Sequence, residues 1–290
     1  MTKAGTVTVA GRPNAGKSTL LNRLVGQRLA ITSPKPQSTR ERVVGLITDA
    51  DSQIILLDTP GLLEPAYALQ KSMQESSIRA LHDADVIIHL IDGLEGQVET
   101  LSHAAGLAED RAPKAPTILV FNKCDALIEG RRNAFLTDNP GSMMISALNG
   151  EGVSELLTRV RSMLPEHPFY YDAEDLSSQN MRFFASEMVR ETALEQLEDE
   201  VPYSIACEIE EFRETRSPVY IRAVLHVERD SQKRILIGAG GSRIKSIGTR
   251  ARGKIEALIG SPVYLDLHVK VLPNWRRDSA ALRRLGYRVD

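Results

Sequence analysis

A glycine-rich octapeptide near the start of the chain has the residue types needed to hold a chain of phosphates. It runs from Gly11 to Ser18 and matches the pattern G-x-x-x-x-G-K-[ST]. Its glycines allow successive backbone N–H groups to turn towards a β-phosphate, and a helix beginning near Lys17 adds its positive end. We expect the Lys17 ammonium to bridge the β- and γ-phosphates and the Ser18 hydroxyl to ligate Mg²⁺. The predicted nucleotide-binding residues here are Gly11, Arg12, Pro13, Asn14, Ala15, Gly16, Lys17, Ser18 and Thr19.

A second motif, Asp58-Thr59-Pro60-Gly61, supplies groups for a metal ion and a terminal phosphate. We expect Asp58 to hold the magnesium shell, and the Gly61 N–H to contact a γ-phosphate until hydrolysis removes it. Leu62 stands where Ras-like enzymes have the glutamine that orients the attacking water. Because leucine cannot hydrogen-bond water, we predict intrinsic hydrolysis that is slow or depends on another group. The predicted nucleotide-binding residues of this motif are Asp58, Thr59, Pro60, Gly61 and Leu62.

A third motif, Asn122-Lys123-Cys124-Asp125, can distinguish guanine from adenine. The Asp125 carboxylate can accept from both the ring N–H and the exocyclic amine of guanine, whereas adenine would leave it unpaired. We expect the Lys123 stem to lie along the base and Asn122 to tie this loop to the phosphate-binding loop. Ser146-Ala147 is spaced to offer a backbone N–H to the guanine carbonyl. The predicted base-binding residues are Asn122, Lys123, Cys124, Asp125, Ser146 and Ala147.

Short aliphatic segments that alternate with helical stretches must position these motifs. Strands are predicted at 6–10, 53–57, 86–91 and 117–121, and helices at 19–25, 66–83 and 153–164. Continuous aliphatic runs are typical of parallel strands covered by helices on both faces. The alternation predicts an α/β fold with a doubly wound, mostly parallel sheet that binds its ligand at the carboxyl ends of the strands.

Composition limits the class of protein. The chain has 290 residues, 42% of them hydrophobic and 26% charged, which is typical of a water-soluble protein of about two domains. A formal charge of −2 excludes a polycation that grips nucleic acid over its whole surface. No apolar run reaches the roughly 18 residues of a membrane-spanning helix. Two distant cysteines, Cys124 and Cys207, argue against a disulfide scaffold or a zinc module. We therefore expect a cytoplasmic protein.

The second half of the chain has a different composition. Residues 1–165 are predicted to form a GTP-binding domain, 166–180 a linker and 181–290 a smaller α+β domain with a C-terminal tail. From residue 187 to 214 there are ten acids and two arginines, whereas residues 233–254 contain seven bases and no acid. This asymmetry predicts one acidic and one basic face.

The centre of the basic segment, Gly238-Ala239-Gly240-Gly241, fits the G-x-x-G loop with which a KH domain clamps about four nucleotides. A dinucleotide-binding loop is disfavoured because Arg243 stands where its third glycine belongs. Two roles stay open for Trp275, stacking on a base or filling the core. The predicted RNA-binding residues are Lys233, Arg234, Gly238, Ala239, Gly240, Gly241, Arg243, Lys245, Arg250 and Trp275. No DNA partner is predicted.

Together these motifs resemble those of the translation-factor-related GTPases. The segment Thr32-Ser33-Pro34-Lys35-Pro36-Gln37-Ser38-Thr39-Arg40 resembles the first switch of the Era family, although a polar surface loop would also suit its position. The α-β-β-α-α-β order predicted from Met181 to Val271 is similar to the type II KH domain of that family. The resemblance therefore covers nearly the whole chain. Ala239 and Gly240 depart from it, since Era-family loops often have a lysine there, and weaker attraction for phosphate is expected.

The resemblance implies roles for several residues. Thr39 would be the switch threonine that reaches Mg²⁺ and the γ-phosphate. In some relatives a potassium ion, held partly by an asparagine at the position of Asn14, stands in for an arginine finger. The implied catalytic residues are Asn14, Lys17, Thr39 and Gly61. The implied metal ligands are Ser18, Thr39 and Asp58 for Mg²⁺ and Asn14 for K⁺.

The resemblance also implies partners and a reaction. It implies a GTPase switch that binds GTP or GDP and small-subunit ribosomal RNA near its 3′ end, assists assembly of the 30S subunit and contacts the inner membrane peripherally. Two alternatives stay open. Leu62 allows an RNA-binding module that holds GTP as a structural ligand with negligible hydrolysis. An RNA-modifying or RNA-remodelling ATPase is the other, and Asp125 disfavours it.

Overall fold

The computed structural model describes residues 1–95 and 98–289 and divides the chain into two compact units. The first unit comprises residues 1–66 and 73–178. The second comprises residues 67–72 and the chain from Gln179 onward. The predicted linker, residues 166–180, is thus divided between them, with 166–178 in the first unit.

A six-stranded sheet in the order β2-β3-β1-β4-β5-β6 forms the centre of the first unit. The strands are β1 (Lys3–Ala10), β2 (Val43–Thr48), β3 (Ser52–Asp58), β4 (Val86–Asp92), β5 (Thr117–Asn122) and β6 (Met143–Met144). Neighbouring strands are parallel except β2 and β3, which are antiparallel. Both β3 and β4 are buried along their whole length, as expected for strands covered on both faces. The predicted fold class is confirmed.

The helices of this part of the chain are α1 (Lys17–Val25), α2 (Ala68–His82), α3 (Leu101–Ala105), α4 (Glu129–Asp138) and α5 (Val153–Met163). Helix α5 shows why they form: Val153, Leu156 and Val160 recur at helical spacing and are all buried. Strand β2 was not predicted, because Gly45 interrupts its apolar run. A Cβ atom at Gly45 would lie 2.5 Å from Val25 Cγ2, so glycine is what allows α1 to pack against this strand.

The second unit contains α6 (Met181–Gln196), β7 (Ala206–Arg213), β8 (Val219–Val227), α7 (Asp230–Ile237), α8 (Ser242–Ile259), β9 (Val263–Val271) and α9 (Ser279–Arg284). Its sheet has the order β7-β8-β9, with β8 antiparallel to β7 and parallel to β9. Val189, Ile221 and Ile247 are fully buried in its core. Burial of each such side chain contributes about 1.5–3 kcal/mol. The predicted α-β-β-α-α-β order is confirmed.

Trp275 fills the core of the second unit. Its side chain is 0% exposed, its Nε1 donates to the Ser204 carbonyl at 2.8 Å, and its ring lies 6.1 Å from that of Tyr287. The inclusion of Trp275 among the RNA-binding residues is therefore wrong, because a fully buried indole cannot reach a base. No helix among residues 1–95 and 98–289 is both long and apolar enough to cross a membrane.

Candidate functional site

The parallel strands bring the three motifs of the first unit to one edge of its sheet. Val9, one residue before the end of β1, is in register with Asp58, and Asp92 of β4 is in register with Asn122. The phosphate-binding loop therefore begins where the second and third motifs also begin. Carboxyl ends of parallel strands are where such sheets bind ligands.

A hydrogen bond joins the phosphate-binding loop, residues 11–18, to residues 122–125, which we call the base-reading loop. Asn122 Nδ2 donates to the Ala15 carbonyl at 2.8 Å. Gly16 has a φ of +97°, and a Cβ atom there would lie 2.1 Å from Asn122 Nδ2. Glycine is required at this position for both its backbone conformation and its close contact. The predicted tie through Asn122 is present.

Lys17 is a buried cation at the start of α1. Its Nζ donates to the carbonyls of Gly11 at 3.1 Å and Arg12 at 2.8 Å. Burial lowers the pKa of Lys17 to about 8, although Asp58 opposes the shift. A desolvated ammonium held by two loop carbonyls has an unfavourable free energy that an anion in the loop would relieve. This environment suits the predicted contact with phosphates.

Three oxygen groups meet beside Lys17, and we call them the metal corner. Ser18 Oγ lies 2.9 Å from Thr39 Oγ1 and donates to Asp58 Oδ2 at 2.6 Å, and Thr39 Oγ1 donates to the same carboxylate oxygen at 3.2 Å. Asp58 Oδ1 is buried and has no hydrogen-bond partner in the described structure. Two hydroxyls, one carboxylate and space for substrate oxygens fit Mg²⁺, which prefers few protein ligands.

The metal corner predicts a pH dependence. Burial raises the pKa of Asp58 to about 6, although Lys17 and the hydroxyls of Ser18 and Thr39 oppose the shift. Because the ligand must be ionised, we expect Mg²⁺-dependent nucleotide binding to weaken about tenfold per pH unit below pH 6. The free protein should respond oppositely: a raised carboxyl pKa favours the protonated folded state, so this group adds stability as pH falls from 6 towards 4. Titrations of nucleotide binding and of urea unfolding measure both, and Asp58→Asn should remove both dependences.

In the base-reading loop, Asp125 is exposed and Lys123 has a left-handed backbone conformation. Lys123 has a φ of +65°, and its Nζ forms an ion pair with Asp92 Oδ2 at 2.5 Å. Asp92 was not predicted, since only the pairing of β4 with β5 brings it to Lys123. Cys124 is buried, and burial raises the pKa of its thiol to about 11, so it is not a nucleophile.

The backbone N–H of Ala147, which was predicted to face the guanine carbonyl, has a partner within the chain. That N–H donates to Asn122 Oδ1 at 2.8 Å, and the Ser146 N–H donates to the Glu151 carbonyl at 2.9 Å. Both groups brace the base-reading loop in this structure. The sequence spacing could not show that the Asn122 side chain would be the acceptor of the Ala147 N–H.

The residues of the second motif have two different surroundings in the structure: Gly61 lies against the phosphate-binding loop, whereas Thr59 and Pro60 are hydrogen-bonded to the rest of the unit. The Gly61 backbone approaches the phosphate-binding loop so closely that a Cβ atom would lie 2.7 Å from the Pro13 nitrogen. Thr59 is buried and donates to the Val9 carbonyl at 3.0 Å, and the Pro60 carbonyl accepts from Ser77 Oγ at 3.0 Å. Thr59 and Pro60 therefore hold the loop in place.

Leu62 is a core residue in this structure. Its side chain packs with Leu81, Ile87 and Ala105, and its N–H donates to the Gly11 carbonyl at 3.0 Å. Its inclusion among the nucleotide-binding residues is therefore wrong for the side chain, because that side chain faces the interior. This geometry strengthens the expectation that Leu62 cannot orient an attacking water.

The phosphate-binding loop also contacts the predicted first switch. Asn14 has a φ of +64° and its Nδ2 donates to the Pro34 carbonyl at 3.0 Å. A cavity of about 460 Å³ lies between these segments and is lined by Pro13, Asn14, Gly16, Lys17, Ser18, Thr19, Thr39, Gly61 and Lys123, among others. Arg12 does not line it and instead forms an ion pair with Glu99.

In the second unit the predicted RNA-binding loop joins α7 to α8. Gly238, Gly240 and Gly241 all have positive φ, at +75°, +56° and +79°. The N-terminus of α8 follows at Ser242, so its positive end adds to the exposed side chains of Arg243 and Lys245. Arg234 and Arg250 are also exposed, whereas Lys233 is half-buried.

Sequence reasoning missed part of the groove beside this loop. A cavity of about 300 Å³ is lined by Ile244, Lys245, Gly248, Thr249, Arg252, Tyr264, Leu265 and Leu267. Arg252 and Tyr264 meet there because α8 packs against β9, a contact that no local pattern predicts. Lys254, on the same helix, instead pairs with Glu191 and Glu195 of α6.

Comparisons with known proteins agree with both units. A family model described as a 50S ribosome-binding GTPase matches residues 6–123, and a KH domain model matches residues 200–276. The GTPase Era of Thermotoga petrophila is 42% identical and covers 99% of this chain and 98% of its own. The GTPase Era of Synechocystis sp. is 41% identical, with 99% and 93% covered.

Solved structures give the same result. The protein in a crystal structure of Era in complex with MgGDPNP and nucleotides 1506–1542 of 16S ribosomal RNA is 37% identical in sequence to this chain. The two structures superpose with a TM-score of 0.91, and all of both chains is covered. An Aquifex aeolicus Era variant bound to GDP and aluminium fluoride has the same identity and TM-score, with 99% of this chain covered. On its motifs, its two units and these relatives, the chain belongs to the Era family of GTPases.

Proposed function

We propose that this chain is a GTP-hydrolysing switch that binds small-subunit ribosomal RNA near its 3′ end and assists maturation of the 30S subunit. The observation that supports this most is the metal corner, where Ser18 and Thr39 meet Asp58. A switch needs a residue that responds to both metal and γ-phosphate, and Thr39 has that position. The Era structure with MgGDPNP and 16S ribosomal RNA supports both ligands.

The chain's own groups account for binding and for slow turnover. When bound, Mg²⁺ would supply charge neutralisation at the β- and γ-phosphates. Lys17 would exchange its two carbonyl acceptors for phosphate oxygens, and the Gly61 N–H would donate to the γ-phosphate. Because the Leu62 side chain packs in the core, the attacking water must be oriented by another group. Intrinsic hydrolysis should therefore be slow.

We propose that a potassium ion assists hydrolysis, because the chain lacks the glutamine that orients the attacking water in Ras-like enzymes. Asn14 lies between the phosphate-binding loop and the first switch, where its amide connects the two through the Pro34 carbonyl. We expect GTP turnover to be faster in potassium than in sodium, and Asn14→Ala to remove that difference. Turnover in matched chloride salts measures it. Equal wild-type rates in the two salts would contradict the proposal for K⁺ and leave the Mg²⁺ site unaffected.

Coupling of the nucleotide to the RNA would begin close to the second motif. Residues 67–72, which start six positions after Gly61, belong to the second unit. There the Leu69 N–H donates to the Arg276 carbonyl at 2.9 Å, and the Arg276 guanidinium lies 5.4 Å from the centre of the Tyr67 ring. A change at Gly61 therefore has a short covalent path to residues packed in the RNA-binding unit.

The RNA-binding loop gives a gain-of-affinity test. Ala239 is exposed at the loop that presents its backbone to phosphates. Ala239→Lys should raise the affinity for a single-stranded oligonucleotide of the 3′ end of 16S ribosomal RNA about three- to tenfold, and should steepen its salt dependence by about 0.7 in the log–log slope. Ala239→Gln is the control, with similar length and no charge.

Fluorescence anisotropy over a salt series measures this effect. An Ala239→Lys protein that matches Ala239→Gln at every salt concentration would show that phosphates do not pass this loop. A cytoplasmic location and loose peripheral contact with the inner membrane complete the proposal by resemblance to the family.

A further inference from the structure

Strand β2 has an outer edge that a segment far along the chain covers. It is the terminal strand of its sheet, paired with β3 on one side only. Residues 170–177, which we call the strap, follow its other side. Exposed strand edges are normally covered or blocked, because their unpaired backbone groups invite other chains. The strap therefore has a structural reason to lie there, and its two ends are attached in different ways.

The first end of the strap is anchored by a buried amide. Gln53, at the start of β3, is 0% exposed. Its Oε1 accepts from the N–H groups of Tyr170 at 2.8 Å and Tyr171 at 3.0 Å, and its Nε2 donates to the Tyr171 carbonyl at 2.9 Å. Loss of these bonds would take both donors from the buried Gln53 Oε1, although Nε2 also donates to Thr48 Oγ1 at 3.0 Å, so this end is firmly held.

The second end lies along β2 itself and is attached through one backbone and one side-chain hydrogen bond. The Leu46 N–H donates to the Leu176 carbonyl at 2.9 Å, and Ser177 Oγ donates to the Val44 carbonyl at 2.6 Å. Leu176 is 44% exposed and Ser177 is half-buried. The strap thus runs antiparallel to β2, from the Gln53 anchor to an attachment near the beginning of the strand.

The beginning of β2 is also where the first switch ends. Thr39 of the metal corner precedes Val43 by four residues, and Val43 is in register with Asp58. The side chain of Asp58 therefore accepts a hydrogen bond from the Thr39 hydroxyl, and its backbone pairs with the first residue of β2. A displacement of Thr39 would be passed along the chain to the Val44 carbonyl, which accepts from Ser177.

We propose that the second end of the strap responds to the first switch: it is attached to β2 when Thr39 is engaged, and it detaches when loss of the γ-phosphate releases Thr39. This rests on the proposed function, in which the nucleotide governs RNA binding. Helix α6 of the second unit begins at Met181. With Ser177 attached, only residues 178–180 separate the strap from α6; with only the Gln53 anchor left, residues 172–180 do so. This longer unattached segment ahead of α6 is the part of the chain through which the strap would act on the second unit.

Amide hydrogen exchange at Leu46 tests this proposal directly, because that N–H is protected by the Leu176 carbonyl. In the full chain we expect Leu46 to exchange about fivefold faster with GDP than with a non-hydrolysable GTP analogue, as loss of one such hydrogen bond implies. Ser177→Ala should make exchange fast in both states. Ser162→Ala is the matched control, since Ser162 Oγ donates to the Arg159 carbonyl at the same 2.6 Å but on α5.

RNA affinity in the two nucleotide states separates this proposal from the function on which it rests. We expect Ser177→Ala to reduce the ratio of the two affinities towards one while GTP turnover stays at the wild-type rate. Leu46 exchange that is independent of nucleotide, or that Ser177→Ala leaves unchanged, would overturn the strap proposal. Wild-type RNA affinity that is equal in both states would overturn the coupling instead, and Leu46 exchange would still decide whether the strap responds to the switch.

Discussion

Replacement of Asp125 by asparagine is expected to weaken GTP binding about a hundredfold or more and to create affinity for xanthosine triphosphate. The Asp125 carboxylate is exposed at the base-reading loop, where it can accept two hydrogen bonds from guanine. Charge-assisted bonds of this kind are about twice as strong as neutral ones, and their loss leaves guanine donors unpaired. Xanthine has an oxygen in place of the exocyclic amine, so an asparagine amide can donate to it.

Competition between guanosine, adenosine and xanthosine triphosphates for a fluorescent nucleotide measures this change. Asp51→Asn is the matched control, because Asp51 is an exposed acid in the same unit and outside the base-reading loop. Its affinities should equal those of the wild type. If Asp125→Asn keeps its preference for GTP, another group reads the base, and the assignment of Asp125 is wrong.

Replacement of Lys17 by methionine is expected to lower GTP turnover about a thousandfold, because it removes the positive charge that we propose contacts the phosphates. Loss of one preorganised donor to a developing charge typically costs about 10²–10³ in rate. Burial lowers the pKa of Lys17 to about 8, so its charged form opposes folding. The wild-type free energy of unfolding should therefore gain a contribution as pH rises through 8 towards 10.5, and Lys17→Met should lack it.

Single-turnover hydrolysis and urea unfolding between pH 7 and 10 measure both effects. Lys114→Met is the control, since Lys114 is an exposed lysine of the same unit and should affect neither. A Lys17→Met protein with turnover near the wild-type rate would remove Lys17 from the catalytic residues. A turnover loss without the altered pH dependence would leave its catalytic role and contradict its burial as a cation.

The backbone conformation of loops whose residues are contiguous in the chain could be predicted well. The phosphate-binding loop carries its glycines, its lysine and its hydroxyl within eight positions, and the helix that completes it follows at once. The G-x-x-G loop is likewise local, with positive φ at Gly238, Gly240 and Gly241. In both cases short-range sterics decide the conformation, so neighbours in sequence suffice to predict it.

Residues whose role depends on a distant partner were predicted less well. The side chains of Leu62 and Trp275 are buried in the hydrophobic cores of their units. Their burial could not be predicted, because it depends on packing against segments far away in the chain. Ala147 gives its N–H to Asn122, 25 positions earlier, and Gln53 anchors Tyr171, 118 positions later. Local patterns carry no information about such pairs.

The sequence by itself determined the fold class, the nucleotide motifs and the α-β-β-α-α-β order of the second unit, since periodicity and short motifs express local backbone preferences. The tertiary structure alone decided which groups meet: Thr39 with Asp58, Lys123 with Asp92, and the strap with β2. The physical reason is that each of these contacts joins residues from separate segments, and only the packing of the whole unit makes them neighbours.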